Sequence, residues 1–250
     1  MNRLMRNLLK GLGVFAFWIV IWEAISLVVG QELLVPSPLL TLKTFVRLAA
    51  SSKFWLSTGL TLLRIAVGFI AGTLLGALLA FATHYSKAVD MMISPVIRLI
   101  RAVPVASFII LALVWIKTEA LPSFISAAMA APMVWQNVRG ALKSDVDPKL
   151  IEMARVFRLG KGRIFTKIVL PSIAPAFVSS SVNALGFAWK SGVAAEVICQ
   201  PVFSIGRQLQ TAKLTLETAE VFAWTAVVCL LSTLLERLFK AVAAGWGRKS

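Results

Sequence analysis

Charge is scarce in this chain, and acidic charge is scarcest: Asp and Glu number 11 among 250 residues, and charged residues make up 15%. A typical soluble domain carries about 25%. One histidine, His84, excludes a multi-histidine metal centre. The two cysteines, Cys199 and Cys229, stand far apart without a CxxC, so neither a disulfide framework nor a thiolate metal site is expected. There is no GxxxxGK[ST] phosphate loop, so the chain is not expected to hydrolyse ATP itself. A membrane enzyme would need a paired nucleophile and base or a metal cluster. One His, two separated Cys and no Asp within the apolar runs leave little material for either.

What is abundant is apolar surface. Fully 58% of the residues are hydrophobic, against about 45–50% in ordinary domains, and the mean hydropathy is +0.84. Disorder, a fibrous repeat and an ordinary soluble enzyme are excluded. A span needs about 20 apolar residues, and the pattern predicts six, near residues 12–29, 59–82, 96–116, 121–138, 175–198 and 221–239. The expected fold is all-α and polytopic, a single membrane domain over 1–250. The basic start, MNRLMRNLLK, resembles a secretory signal, but the apolar run behind it is long and has no A-x-A site, so a retained first span is expected.

The formal net charge is +15. In a soluble protein that would suggest nucleic acid; here the basic residues fall in short segments between apolar runs and point to membrane orientation instead. With the N-terminus inside, inner segments hold eighteen Lys and Arg and outer segments six, which predicts both termini in the cytoplasm. Between the first two spans, Ser37 and Pro38 read as an N-cap and first helical residue. Leu39, Leu42, Phe45, Val46 and Ala49 follow at helical spacing, as in an amphipathic helix on the membrane surface. Gly68, Gly72 and Gly76, four apart in the second span, suit close packing against another helix of the same chain.

The longest inner segment, 139–167, reads as a helix–turn–helix at the cytoplasmic surface. Asp147 caps a first helix, Leu150, Met153, Ala154 and Phe157 share one of its faces, Gly160 and Gly162 break it, and a second short helix begins at Ile164. Pro171 then marks the start of the fifth span.

Within it, Glu152-Met153-Ala154, followed at fixed distance by Ile168-x-Leu170-Pro171, resembles the EAA loop of ABC importer permeases. That pattern is roughly E-A-A, three residues, G, nine residues, I-x-L-P. The glycine position is Arg158 here, with Gly160 and Gly162 as candidate substitutes for the turn, and Met153 stands at the motif's second position in place of an alanine. The VPSP segment, the glycine-rich second span, WKSGVAAEVI and SIGRQL are similar to the nitrate/sulfonate/taurine-type branch.

The resemblance implies a type I (MetI-like) importer permease fold with six spans in a bacterial inner membrane. It implies a loop at 139–171 coupling to a cytoplasmic ABC ATPase dimer through Glu152, Ala154, Arg155, Gly160, Ile168, Leu170 and Pro171. It further implies a second permease subunit forming a homodimer, an extracytoplasmic solute-binding protein, contact with membrane lipid, and no nucleic acid. ATP and Mg would be bound by the ATPase, with no cofactor in this chain. The solute would be a small anion of the nitrate, sulfonate or taurine kind. Two other readings stand beside it. Ala154-Arg155 is similar to the coupling motif of energy-coupling-factor T subunits, which usually have two such motifs. An ion-gradient-driven secondary transporter would show inverted halves or a cluster of membrane carboxylates.

Four charged residues fall within the predicted spans: Glu23, Arg64, Lys190 and Glu196. Each costs about 2.5–3.5 kcal/mol at a helix centre on insertion scales. Arg64 is expected to snorkel from a span end, and Glu23 to pair with a basic group. Lys190 and Glu196 point about 120° apart on a helix and are not a pair. Trp189, Lys190, Ser191 and Glu196 either line a translocation pathway or pack against neighbouring spans.

Overall fold

The computed structural model describes the backbone of residues 3–247 and the side chains of residues 13–243. Among the described residues there are helices and no strand: α1 (Arg3–Val29), α2 (Pro38–Ala49), α3 (Ser52–Tyr85), α4 (Lys87–Ala102), α5 (Val105–Ala112), α6 (Leu121–Ser144), α7 (Pro148–Val156), α8 (Lys161–Ile164), α9 (Leu170–Cys199), α10 (Ile205–Leu214) and α11 (Thr218–Gly247). Three helical stretches are long and apolar enough to cross a membrane: Ser52–Tyr85, Lys161–Cys199 and Thr218–Ala243. A fourth qualifies if α4 and α5 are one broken span.

The core is built around α6, which lies between α3 and α9. Small residues make this possible. Ala80, Ala130, Ala184 and Ala188 are wholly buried beside Val134 and Val138. A side chain on Gly68, Gly72 or Gly76 would come closer than 3.0 Å to the backbone of Ser123, Ala127 and Ala131 respectively. The three glycines therefore form a groove that takes α6, the intrachain packing expected from their spacing. Polar groups tie the same helices: Ser123 Oγ donates to the Arg64 carbonyl (2.8 Å), Ser126 Oγ to the Ala188 carbonyl (3.1 Å), and Trp135 Nε1 to Thr83 Oγ1 (2.9 Å).

The helix α1 is peripheral. Trp22 Nε1 donates to the Pro36 carbonyl, Ser26 Oγ to the Val35 carbonyl, and the Trp22 ring stacks on Phe222 of α11, while Phe15, Trp18 and Val20 face outward. In α2, Ser37 caps the helix by accepting from Leu40 N, and Pro38 opens it. Its core-facing side is set by small polar residues. Thr41 and Thr44 are buried with Phe45 and Leu48 against the core, while Leu39, Leu42 and Val46 remain exposed.

The expected third span, 96–116, is not a straight helix. Helices α4 and α5 meet at 109°. Val103 is held extended (φ −74, ψ 130) because the ring of Pro104 disfavours the helical conformation in the residue before it. Pro104 also has no N–H with which to continue the ladder. With 8 residues, α5 is only about 12 Å long, too short to cross by itself.

The expected second short helix of the long inner segment is likewise not separate. A single π-helical turn, Phe165–Val169, joins α8 to α9 without a break. Its closing bond runs from Leu170 N to the Phe165 carbonyl. A proline in a helix loses a backbone bond and crowds the carbonyl four residues back. The wider turn gives Pro171 that room, so the proline sits in the first turn of α9 rather than stopping a helix.

Candidate functional site

Four groups of residues bear on the expected sites. The first is the loop containing α7. Asp147 caps it by accepting from Lys149 N (2.8 Å), and Pro148 follows at the first helical position. At the other end, Leu159 N donates to the Ala154 carbonyl and Arg158 N to the Arg155 carbonyl, both at 2.9 Å, around a left-handed Arg158 (φ 54). This is a Schellman closure, which usually employs glycine. The turn therefore falls at Arg158 itself, where the EAA pattern has its glycine, and not at Gly160 or Gly162. Gly160 has an ordinary φ of −64 and open space where a side chain would go.

On α7, Ala154 is buried and Ile151 packs on the core. Glu152 and Arg155 are exposed, as are Leu150, Met153, Val156 and Phe157. Val156 is 80% and Phe157 72% exposed, so this short helix presents an apolar face that nothing in the described chain covers. Glu152 and Arg155 also border a cleft of about 490 Å³ with His84, Lys143 and Val169. Ile168 is half-buried; Leu170 and Pro171 are exposed at the start of α9.

The second group is the α9 segment around Lys190, whose four candidate pathway residues do not converge. Trp189 is 1% exposed, packs among Phe54, Ile65 and Trp224, and donates from Nε1 to the Val228 carbonyl at 3.1 Å. Ser191 Oγ is buried and satisfied by the Phe187 carbonyl of its own helix. Glu196 is wholly buried. Lys190 alone is exposed, on the same face as Asn183, Phe187 and Ala194, and no ion pair involves it among the described residues.

The third group surrounds Glu196 and is organised by Arg64, one of the two groups the sequence reading did not assemble. Thr61 Oγ1 donates to Glu196 Oε2 at 2.8 Å and accepts from Ile205 N at 3.0 Å, while Gly206 N donates to Glu196 Oε2 at 3.3 Å. Arg64 Nη1 lies 3.7 Å from Glu196 Oε1 and 3.2 Å from the Phe203 carbonyl. Arg64 Nη2 bonds to Glu119 Oε2 and to the Val202 carbonyl, and Glu119 Oε1 in turn accepts from Val202 N. Arg64 therefore does not snorkel; it clamps the segment 200–206 between α3, α9 and the start of α6.

Left-handed residues at Gln200 and Phe203 bend that segment back. Gly206 is required because a Cβ there would strike Glu196 itself. The signal for this cluster was present in the sequence. Opposite charges at Arg64 and Glu196 both lie in spans, and Thr61 is one turn from Arg64. By contrast, the expected partner of Glu23 is not found: no ion pair involves it among the described residues.

The other missed group joins α4 to α6. Arg101, at the α4–α5 bend, bonds to Gln136 Oε1. Nearby, Arg139 pairs with Asp90 at 2.5 Å, donates to Ser94, and stacks over the Trp135 ring at 5.0 Å.

Comparison with known proteins places this architecture. Residues 72–248 match the family described as "Binding-protein-dependent transport system inner membrane component". An aliphatic sulfonates transport permease protein, SsuC, of Bacillus subtilis (strain 168) is 26% identical over 230 residues, covering 91% of this chain and 83% of that protein. The taurine transport system permease protein TauC of Escherichia coli (strain K12) is 26% identical over 247 residues, covering 96% and 89%. A crystal structure of a bacterial alginate ABC transporter in complex with an alginate pentasaccharide-bound periplasmic protein contains a chain of the same fold. It aligns at a TM-score of 0.62 and 18% identity over 99% of this chain and 98% of that one. With more than half of its length matched, the chain belongs to the family of inner membrane components of binding-protein-dependent transport systems.

Proposed function

We propose that this chain forms the pathway of an ATP-driven importer for a small anion of the sulfonate kind, and takes its energy from a separate cytoplasmic ATPase. The observation that carries the coupling is α7: a short helix closed at both ends, buried on one side through Ala154, and bearing an uncovered apolar face beside Glu152 and Arg155. A rigid helix of this kind seated in a partner's groove transmits a rigid-body movement. Under this reading Gly160, Ile168, Leu170 and Pro171 belong to the segment that leads from that helix into α9. The sulfonate and taurine permeases among its relatives support the solute class, as does Lys190, which meets no carboxylate among the described residues.

In this reading the chain is a transport component rather than an enzyme, lies in an inner membrane with both termini inside, and has six crossings, α1 and the α4–α5 pair included. It acts as a homodimer on two ATPase subunits and receives solute from an extracytoplasmic binding protein. The test is to purify the tagged chain in mild detergent, identify what accompanies it, and measure uptake of taurine and butanesulfonate by the source membranes. A P-loop ATPase that accompanies the wild-type chain but not Glu152→Lys, with ATP-dependent uptake of either anion, is the expected outcome. No ATPase after crosslinking in intact membranes would overturn the coupling, and no uptake of either anion would overturn the solute class.

A further inference from the structure

Four of the arginines in or beside the membrane-crossing helices, Arg64, Arg98, Arg101 and Arg139, fall into two kinds. Arg64 meets Glu119, Glu196 and two carbonyls; Arg139 meets Asp90 and the Trp135 ring. Arg98 and Arg101 meet no carboxylate among the described residues. Arg98 bonds to the Ser94 carbonyl one turn back, whereas among the described residues Arg101 bonds to the Gln136 amide oxygen alone.

Arg101 borders a cavity. The space is about 240 Å³ and lies at the α4–α5 bend, walled by Val105, Met129, Pro132, Met133 and Phe187. Arg101 is the one polar or charged side chain on that wall. Gln136, one turn beyond Pro132 on α6, fixes the guanidinium at the edge of the cavity. It does so about 12 Å from the end of α6 that leads to α7, counting residues 136 to 144. Phe187, on the opposite wall, lies three residues from Lys190 and therefore on the same side of α9. The cavity thus continues the exposed α9 face that bears Lys190 and Asn183.

A guanidinium offers five N–H donors and no acceptor; here one partner is an amide oxygen, and among the described residues the rest of the fork meets no acceptor. Arg101 is exposed at the mouth of this largely apolar cavity, and its planar fork matches an oxyanion edge. We infer that Arg101, positioned by Gln136, binds the head of a small organic oxyanion whose apolar part lies against Phe187, Met129 and Pro132, on the half of the pathway nearest α7. This rests on the chain forming a pathway for an anion, and it adds a second cationic station to that of Lys190.

The experiment places the full-length chain, with the subunits that accompany it, in phosphatidylcholine nanodiscs and records saturation-transfer NMR of butanesulfonate, with butyltrimethylammonium as the cationic control. Transfer to butanesulfonate and not to the cation is expected. Arg101→Gln should weaken it roughly tenfold or more, the loss of a charged hydrogen-bonding partner. Arg101→Lys should retain part of it, and Arg98→Gln all of it. An undiminished signal in Arg101→Gln, or equal transfer to the cation, overturns the inference, and the latter does so even if Arg101→Gln fails to fold. Loss of the signal on adding phosphatidylglycerol would assign Arg101 to a lipid phosphate and overturn it too. Binding that depends on Arg101 in a chain giving no butanesulfonate uptake would overturn the proposed transport of that solute and leave the Arg101 site standing. Uptake with an undiminished Arg101→Gln signal would do the reverse.

Discussion

Arg64 decides how the far end of the bundle, opposite α7, is closed. Its guanidinium reaches two carboxylates and two carbonyls while its side chain stays 14% exposed, and Glu196 beneath it is wholly buried. Removing one member of a buried ion pair leaves the other uncompensated, at a cost of about 3 kcal/mol or more. Arg64→Leu is therefore expected to lower the thermal unfolding midpoint in detergent markedly. Arg64→Leu with Glu196→Leu should be less damaging than the two single losses added together, because the double variant strands no buried charge. Strict additivity in that cycle would show that the pair is not coupled. Neither the clamp nor its orientation follows from residue type, since Arg64, Glu119 and Glu196 are brought together across 132 positions of chain by the packing of α3, the start of α6 and α9.

At the scale of elements, the contact of α3 with α6 depends on absence of side chains. Gly72 faces the Ala127 backbone with no room for a methyl group, so Gly72→Leu must push the helices apart. Overpacking in cores typically costs about 1–3 kcal/mol, and more is expected where the obstacle is backbone. The variant should yield less folded protein and a lower unfolding midpoint, whereas Gly59→Leu, with open space at its Cβ, should leave both unchanged.

This contact was legible in the sequence, because four-residue spacing of glycines in an apolar run has few other uses. So were the caps at Ser37 and Asp147, since both follow from local hydrogen-bonding chemistry. Two breaks were not legible. Pro104 bends its span by 109° while Pro132 and Pro171 leave their helices running. Before Pro171 a π turn absorbs the lost bond, and residue type alone does not announce such a turn. The turn at Arg158 was misplaced for a related reason: glycine is cheaper in a left-handed position, by about 1–2 kcal/mol, yet a closed Schellman pair can hold another residue there.

For the whole molecule, the proposed coupling has α7 move with a partner while the α3–α6–α9 core stays intact. Val156 and Phe157 are the most exposed apolar residues on or next to α7 and contribute nothing to that core. The double variant Val156→Ser with Phe157→Ser is expected to keep the wild-type unfolding midpoint and lose the accompanying ATPase, measured by co-purification. A retained ATPase would place the contact elsewhere. Composition and periodicity determined the all-helical membrane class, the helical segments and the loop that carries the EAA-like motif, because apolar run length and local capping depend only on neighbours in the chain. Tertiary structure alone decided which charges are satisfied. Arg64 and Glu196 close an end of the bundle, Trp189 packs in the core beside Lys190, and Arg101 is left facing a cavity. Those outcomes depend on which helix faces meet, and that is set by close packing between segments far apart in sequence.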